Sequence, residues 1–199
     1  MTQEKIVYQN NEDDNMRLGT MEFKAMNNPI RRFIQKRFEF RYFRNMLKSQ
    51  NINLNEKIII DAGCGSGYSS QLIYENFTPI RLIAFDYMSE QIELAKLRSK
   101  RKNLNIEFFE GDIRKINESS ESIDAIFIFG VIHHIADWQN ALKEVCRVLK
   151  PNGVLLIEEP HHEFEFEELE FEMEQLGLKV IEMKKFFFGY FRSYLAMKR

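Results

Sequence analysis

The sequence predicts an α/β fold built on a doubly wound, mostly parallel sheet. Three observations carry the prediction. From Lys57 onward, β-branched apolar runs alternate with helix-patterned segments, as parallel strands joined by right-handed crossovers do. The stretch IIIDAGCGSGYSS (58–70) sets a buried-strand run directly before Gly63, Gly65 and Gly67, with a helical segment behind them. Strand, glycine turn and helix in that order let backbone approach a nucleotide-like ligand closely. Finally, 199 residues with no internal repeat and no Pro/Gly/Ser-rich linker suit one domain with one sheet.

The elements follow in order. Residues 1–28 are polar and irregular, with NNEDDN at 10–15, and are expected to form a flexible N-terminal arm ahead of a single domain over 29–199. Pro29 suits the first turn of a helix running to about Ser49, a candidate cover for the site. This helix carries Arg31, Arg32, Lys36, Arg37, Arg41, Arg44 and Lys48 against Glu39, interleaved with aromatic and aliphatic residues. At 100° per residue its apolar positions spread around most of the circumference. That pattern fits a helix packed on the domain with snorkelling cations, and gives peripheral membrane contact only weak support. Strands are expected at 57–62, 80–85, 105–109, 123–129, 153–159, 178–186 and 191–198, with helices at 67–77, 89–101, 137–149 and 164–176. Asp137 stands where an N-cap is wanted, and Lys150-Pro151-Asn152-Gly153 is a stop signal.

Composition narrows the function. A net charge of −2 gives no nucleic-acid signature, and nine glutamates with no Lys or Arg between Glu158 and Glu174 argue against a polyanion on that side. Cys64 and Cys146 are far apart and show no metal or redox spacing, which points to a reducing, cytoplasmic setting. No apolar run approaches the ~18 residues of a spanning helix, and no basic-then-apolar leader opens the chain.

Asp86, 23 residues after Gly63, ends the second strand. A carboxylate there can accept hydrogen bonds from ribose hydroxyls. The dinucleotide fingerprint GxGxxG fails in both registers: its third glycine falls on Tyr68 or on Ser70. What stands instead, DxGxGxG, suits a ligand without a pyrophosphate. With DAGCGSG (61–67), AFDYMSEQIELAK (84–96), FEGDIRKI (109–116) and the long block 123–160 in this order, the chain resembles the class I S-adenosylmethionine-dependent methyltransferases. It is most similar to the ubiquinone/menaquinone-biosynthesis type that acts on small molecules. The resemblance covers residues 55–160. It implies a Rossmann-like, seven-stranded sheet with an antiparallel last strand, and S-adenosyl-L-methionine as cofactor.

For the site, the resemblance implies cofactor contacts from Asp61, Gly63, Cys64, Gly65, Asp86, Tyr87, Met88, Asp112, Ile113, Phe129 and Gly130. Several also have plain structural roles: Asp86 as a helix cap, Asp112 as a turn cap over the next amides, Asp61 as a residue that holds the glycine loop by accepting its amides. Asp124, at the far end of its strand, reads as structural. His133 and His134 follow the fourth strand, and His161 and His162 the fifth, so all four histidines fall at the carboxyl edge where ligands bind. His133, His134 and His161 are the candidates for a base or an acceptor-orienting group, with positioning slightly preferred because a sulfonium donor needs little beyond alignment. Glu158, Glu159, His161 and His162 are chemically competent for a metal, but their spacing is poor evidence for one.

The loop FFFGYF (186–191) is expected at the same edge, as an aromatic wall or as a plain hairpin. The expectation is therefore methyl transfer to a small apolar or aromatic acceptor, with no nucleic-acid partner. A base-flipping NPPY-type motif would stand after the fourth strand, where FGVIHH is found. A nucleic-acid or protein methyltransferase and a non-catalytic cofactor-binding scaffold are the alternatives.

Overall fold

The computed structural model describes residues 28, 33, 35–160 and 165–199. A π-helical turn, Gln35–Glu39, runs into α1 (Phe40–Ser49). There follow β1 (Ile58–Ala62), α2 (Tyr68–Phe77), β2 (Arg81–Asp86), α3 (Ser89–Lys102), β3 (Glu107–Glu110) and β4 (Ile123–Phe129). After a 3₁₀ turn at Ile132–His134 come α4 (Trp138–Val148), β5 (Leu149–Pro160), α5 (Phe166–Gln175), β6 (Leu178–Phe186) and β7 (Phe191–Lys198). The expected arm 1–28, apart from Asn28, and the expected helix start at Pro29 lie outside the described residues, as do His161 and His162.

The seven strands form one sheet in the order β3-β2-β1-β4-β5-β7-β6. The first five pair in parallel, and β7 runs antiparallel between β5 and β6. The expected fold class is the one observed. Strand order reverses between β1 and β4, which opens a crevice at their carboxyl ends.

Strand periodicity sorts the core. Ile60, Ile83, Ile126, Ile128, Leu155 and Ile157 face α4 and α5, whereas Ile59, Leu82, Phe127, Phe129 and Leu156 face α1 and α2. Phe40, Phe43, Met46 and Leu47 of α1 are buried, while Arg41, Arg44 and Lys48 are exposed, so this helix is one-sided after all. The smeared face expected over 29–48 reflects Phe33 and Phe38, which are exposed ahead of α1, together with a π turn through which counting at 100° slips out of phase.

β5 begins earlier than expected. Leu149 already pairs with Ile123, and Val154 with Ala125, so 150–153 bulge out beside Asp124. The stop signal makes a bulge within a strand rather than a gap before one. Asp124 accepts the Ile58 amide at 2.9 Å and Lys150 Nζ at 3.0 Å, a structural role as expected.

Candidate active site

The glycine turn after β1 is tied to β2. Gly63 and Cys64 both donate their amides to the Phe85 carbonyl at 2.9 Å, and Gly65 donates to Asp86 Oδ2 at 2.8 Å. Asp86 Oδ1 accepts the Met88 amide at 2.9 Å. A carboxylate offers about four acceptor sites, so with two amides bound Asp86 retains capacity for two more donors. Burial pushes its pKa up, against the pull of the Met88 and Gly65 amides. Its role as a cap directly before Ser89 is replaced by the turn onto Met88.

Gly63 has φ +71°, and a Cβ built there would lie 2.3 Å from Val131 Cγ2. Only a residue without a side chain lets the turn after β1 meet the turn after β4 so closely. At Gly67 (φ +75°) a Cβ would stand 2.8 Å from Ala95 Cβ, so this glycine lets α2 start against α3.

Between these turns lies a cleft of about 600 Å³, its open solvent side included. Gly63, Asp86, Tyr87 and Met88 line one part, Gly111, Asp112 and Ile113 a second, and Gly130, Val131, His134 and Ile135 the far wall. Of the expected cofactor contacts, Gly63, Asp86, Tyr87, Met88, Asp112, Ile113 and Gly130 come together here. Cys64, Gly65, Asp61 and Phe129 do not line it. Cys64 is buried with Ala84 and Ile92, and Phe129 packs 5.1 Å from Phe43 on the α1 face. Gly65 acts through Asp86.

Asp61 supports the loop differently from the expectation. It accepts the Ser69 and Ser70 hydroxyls at 2.7 and 2.5 Å rather than backbone amides, and its Oδ1 has no hydrogen-bond partner. Burial pushes its pKa from 3.8 up to about 6, with the two serines pulling down and Asp86 adding a smaller push. The folded state thus prefers the protonated acid. Its stabilising contribution is complete below the unfolded pKa and is lost as pH rises through about 6. Relative to wild type, Asp61→Asn should gain about 2–3 kcal/mol as pH rises from about 4 to 7, at ~1.4 kcal/mol per pKa unit. Denaturant melts across that range check this; parallel stability curves would refute it.

Asp112 is held by Arg114, whose amide donates to Oδ1 at 2.8 Å and whose guanidinium spans both carboxylate oxygens at 2.7–3.1 Å. The expected turn-cap role is present, through Arg114. The same guanidinium reaches Asp137 at 3.0 Å, joining the turn after β3 to the start of α4. Asp137 does occupy the N-cap position, but its side chain binds Arg114 and Asn140 rather than a helix amide.

His134 lines the cleft, whereas His133 turns inward. Its Nδ1 lies 2.5 Å from Glu159 Oε2, and Glu159 Oε1 accepts the Val131 and Ile132 amides at 3.0 Å. The His133 and His134 rings are 3.9 Å apart. His161 lies outside the described residues. Glu158 bonds Ser193 Oγ at 2.8 Å on the opposite face of β5 from Glu159, so the two adjacent carboxylates do not share one ligand set. Arg114 and Val131 were missed as site residues, and Glu159 stands as the partner of His133 rather than as the metal ligand the sequence allowed. Glu159 was legible in principle, since it continues the inward series Leu155, Ile157.

These features fit an adenosyl-bearing cofactor: a buried carboxylate with open acceptor capacity, a glycine cradle that a Cβ would close, and an apolar slot beside Ile113. Comparison with known proteins agrees. A family model described as "Methyltransferase domain" matches residues 53–186. A probable S-adenosylmethionine-dependent methyltransferase of Mycolicibacterium smegmatis is 31% identical over 103 residues, 52% of this chain and 38% of that protein. A ubiquinone biosynthesis O-methyltransferase of Rickettsia prowazekii is 26% identical over 117 residues, 58% of this chain and 45% of that protein. The chain thus spans less than half the length of these curated relatives. A solved SAM-dependent methyltransferase from Aquifex aeolicus shares the fold with a TM-score of 0.75 at 21% identity, covering 92% of this chain and all of that one.

Proposed function

We propose, from the premise that this chain belongs to the class I S-adenosylmethionine-dependent methyltransferase family, that it methylates a small apolar or aromatic acceptor. The family rests on the model match over 53–186. The acceptor class rests on one observation: the carboxyl edge of the sheet beside β5 carries an aromatic rim. Phe191, which opens β7, pairs with Pro160 at the end of β5, so the loop 187–190 emerges at that edge as expected. There Phe186 stacks on Phe191 at 4.9 Å and meets Tyr42 of α1 at 5.6 Å, while Tyr190 packs edge-on to Phe191. Phe188 stands fully exposed at the tip. Such rings offer a flat, apolar wall to an incoming aromatic or isoprenoid-like molecule. Relatives that include a ubiquinone biosynthesis O-methyltransferase and a trans-aconitate 2-methyltransferase support a small-molecule acceptor; the second acts on a polar tricarboxylate, so the apolar or aromatic class rests on the rim alone.

The bound cofactor supplies a methyl group activated on a sulfonium. The chain's own residues do the rest. Asp86 would anchor the ribose hydroxyls, and Ile113 would pack the adenine ring with Asp112 at its exocyclic amine. The apposed Gly63 and Gly130 turns hold the reacting end in place. Orientation in a pocket shielded from water is the main catalytic resource for a donor already activated. The acidic outer face of α5, with Glu167 and Glu168 beside exposed Phe171, disfavours a polyanionic acceptor.

The test is a screen of cell extracts with cofactor labelled in its methyl group, read by mass spectrometry. The expected product is a small molecule heavier by about one CH₂, since methyl replaces hydrogen. Label found only in protein or nucleic acid would overturn the proposal.

A further inference from the structure

Resting on the methyl-transfer reading above, we propose that Arg114 is a positioning residue for the cofactor, a strap that holds the wall after β3 to the wall after β4 and whose ion pair with Asp137 slows the ligand's departure. The need for a strap follows from the sheet. In the order β3-β2-β1-β4, two strands stand between β3 and β4. At ~4.8 Å per strand, their axes lie about 14 Å apart. Backbone ladders join each strand only to its neighbours. The distance between the turn that carries Asp112 and Ile113 and the turn that carries Gly130 to Ile135 is therefore left to side chains.

Arg114 spans that distance. Toward one wall it holds Asp112: its amide donates to Oδ1 at 2.8 Å, Nε to both oxygens at 3.0–3.1 Å, and Nη2 to Oδ2 at 2.7 Å. Toward the other, Nη1 donates to Asp137 Oδ1 at 3.0 Å, two residues beyond Ile135. Ile113 is buried between the pinned residues Asp112 and Arg114 and lines the cleft from one side, as Ile135 does from the other. Loop and helix run side by side here, both from the carboxyl edge of the sheet toward its amino edge. Further along, a second seam joins them. Ile116 donates its amide to Glu144 at 3.1 Å, and Arg147 donates to the Ile116 and Glu118 carbonyls at 2.8 and 2.9 Å. That seam holds the loop without Arg114, so the strap closes only the end beside the cleft.

Exposure divides the strap into a firm half and a labile half. The Arg114 and Asp112 side chains are 29% and 28% exposed and are joined through three N–H groups, whereas Asp137 is 47% exposed and joined through one. A pair so open to water contributes little to folding, and salt screens it. Asn140 and Arg114 hold the Asp137 carboxyl below the ordinary carboxylate range, so the pair stays ionised at neutral pH. Its place in the fold gives it a consequence that its strength alone would not. A ligand packed on Ile113 is enclosed by both walls, and the Asp137 contact is the link that water and salt open without unseating Asp112. Once it breaks, the wall after β3 can yield while the seam at Glu144 and Arg147 stays shut.

The test is the dissociation rate of S-adenosylhomocysteine from the whole chain, measured by surface plasmon resonance at low and high salt. Asp137→Asn removes the charge but keeps an oxygen for Asn140, and since the Asp137 side chain bonds no helix amide, α4 should stay intact. The ligand should leave this variant about 2- to 5-fold faster than wild type, with an unchanged melting temperature. Arg114→Gln, which loses both halves, should release it about tenfold faster or more. Wild-type dissociation should quicken as salt is raised, and Asp137→Asn should lose that dependence. Glu107→Gln, which breaks the ion pair with Arg81 at the far end of β3, should match wild type. Unchanged dissociation in Asp137→Asn, a salt dependence equal to that of wild type, or an equal effect from Glu107→Gln would overturn the strap. If Arg114→Gln fails its melting control, Asp137→Asn decides. A wild-type protein that binds no S-adenosylhomocysteine overturns the methyl-transfer reading and the strap with it, whereas one that binds it and releases it at one rate in every variant overturns the strap alone.

Discussion

Gly63→Ala is expected to reduce binding of S-adenosylhomocysteine below detection while the protein stays folded. The added Cβ would lie 2.3 Å from Val131 Cγ2 and 2.9 Å from Cγ1, well inside van der Waals contact. Relief requires the turn after β4 to move away, and that turn carries the far wall of the cleft, Gly130 to Ile135. A left-handed φ of +71° adds strain for any residue with a side chain, of order 1–2 kcal/mol. The double variant Gly63→Ala/Val131→Ala removes both offending methyls and should restore much of the binding, leaving the backbone strain and a tight 3.2 Å contact between the two Cβ atoms. Calorimetric titration of the single and double variants, with circular dichroism as the folding control, checks this. Normal affinity in Gly63→Ala would mean that the two turns need not meet for the ligand to bind.

Asp86→Ala has the second largest expected effect, a loss of about 1–3 kcal/mol in cofactor affinity, roughly 5- to 150-fold. Two contributions combine. The ribose loses a charged acceptor, and the Gly65 and Met88 amides lose the oxygens that hold the glycine turn against the end of β2. Asp86→Asn separates them, since its one carbonyl oxygen can keep only part of this network. Its affinity should fall between wild type and Asp86→Ala. Equal affinity in all three proteins would remove Asp86 from the site.

Much of the architecture was legible because sequence and fold speak the same periodicity. The runs at 58–62, 81–86 and 123–129 are short, β-branched or aromatic, and bounded by Gly, Asp or Ser, so a buried parallel sheet was the consistent reading. β4, β6 and β7 fall on their expected limits. What escaped depends on register or on partners distant in sequence. β5 starts at Leu149 because a bulge lets the chain rejoin β4 on both sides of 150–153, which no local stop signal reveals. Phe129 looked like a cleft residue by its place at a strand end, but period two turns it toward α1. Asp61 finds its partners eight and nine residues on, in the first turn of α2, rather than in the loop beside it. Glu159 and His133 sit 26 residues apart and meet only because β4 and β5 are neighbours.

The measurement that bears most directly on the central claim, that this cleft is an S-adenosylmethionine site, is a pair of titrations into the wild-type protein. S-adenosylhomocysteine should bind at one site per chain, with an affinity that Asp86→Ala weakens, and NAD should give no heat of binding, because the turn lacks the third glycine of the dinucleotide fingerprint. Binding of NAD without S-adenosylhomocysteine would contradict the account.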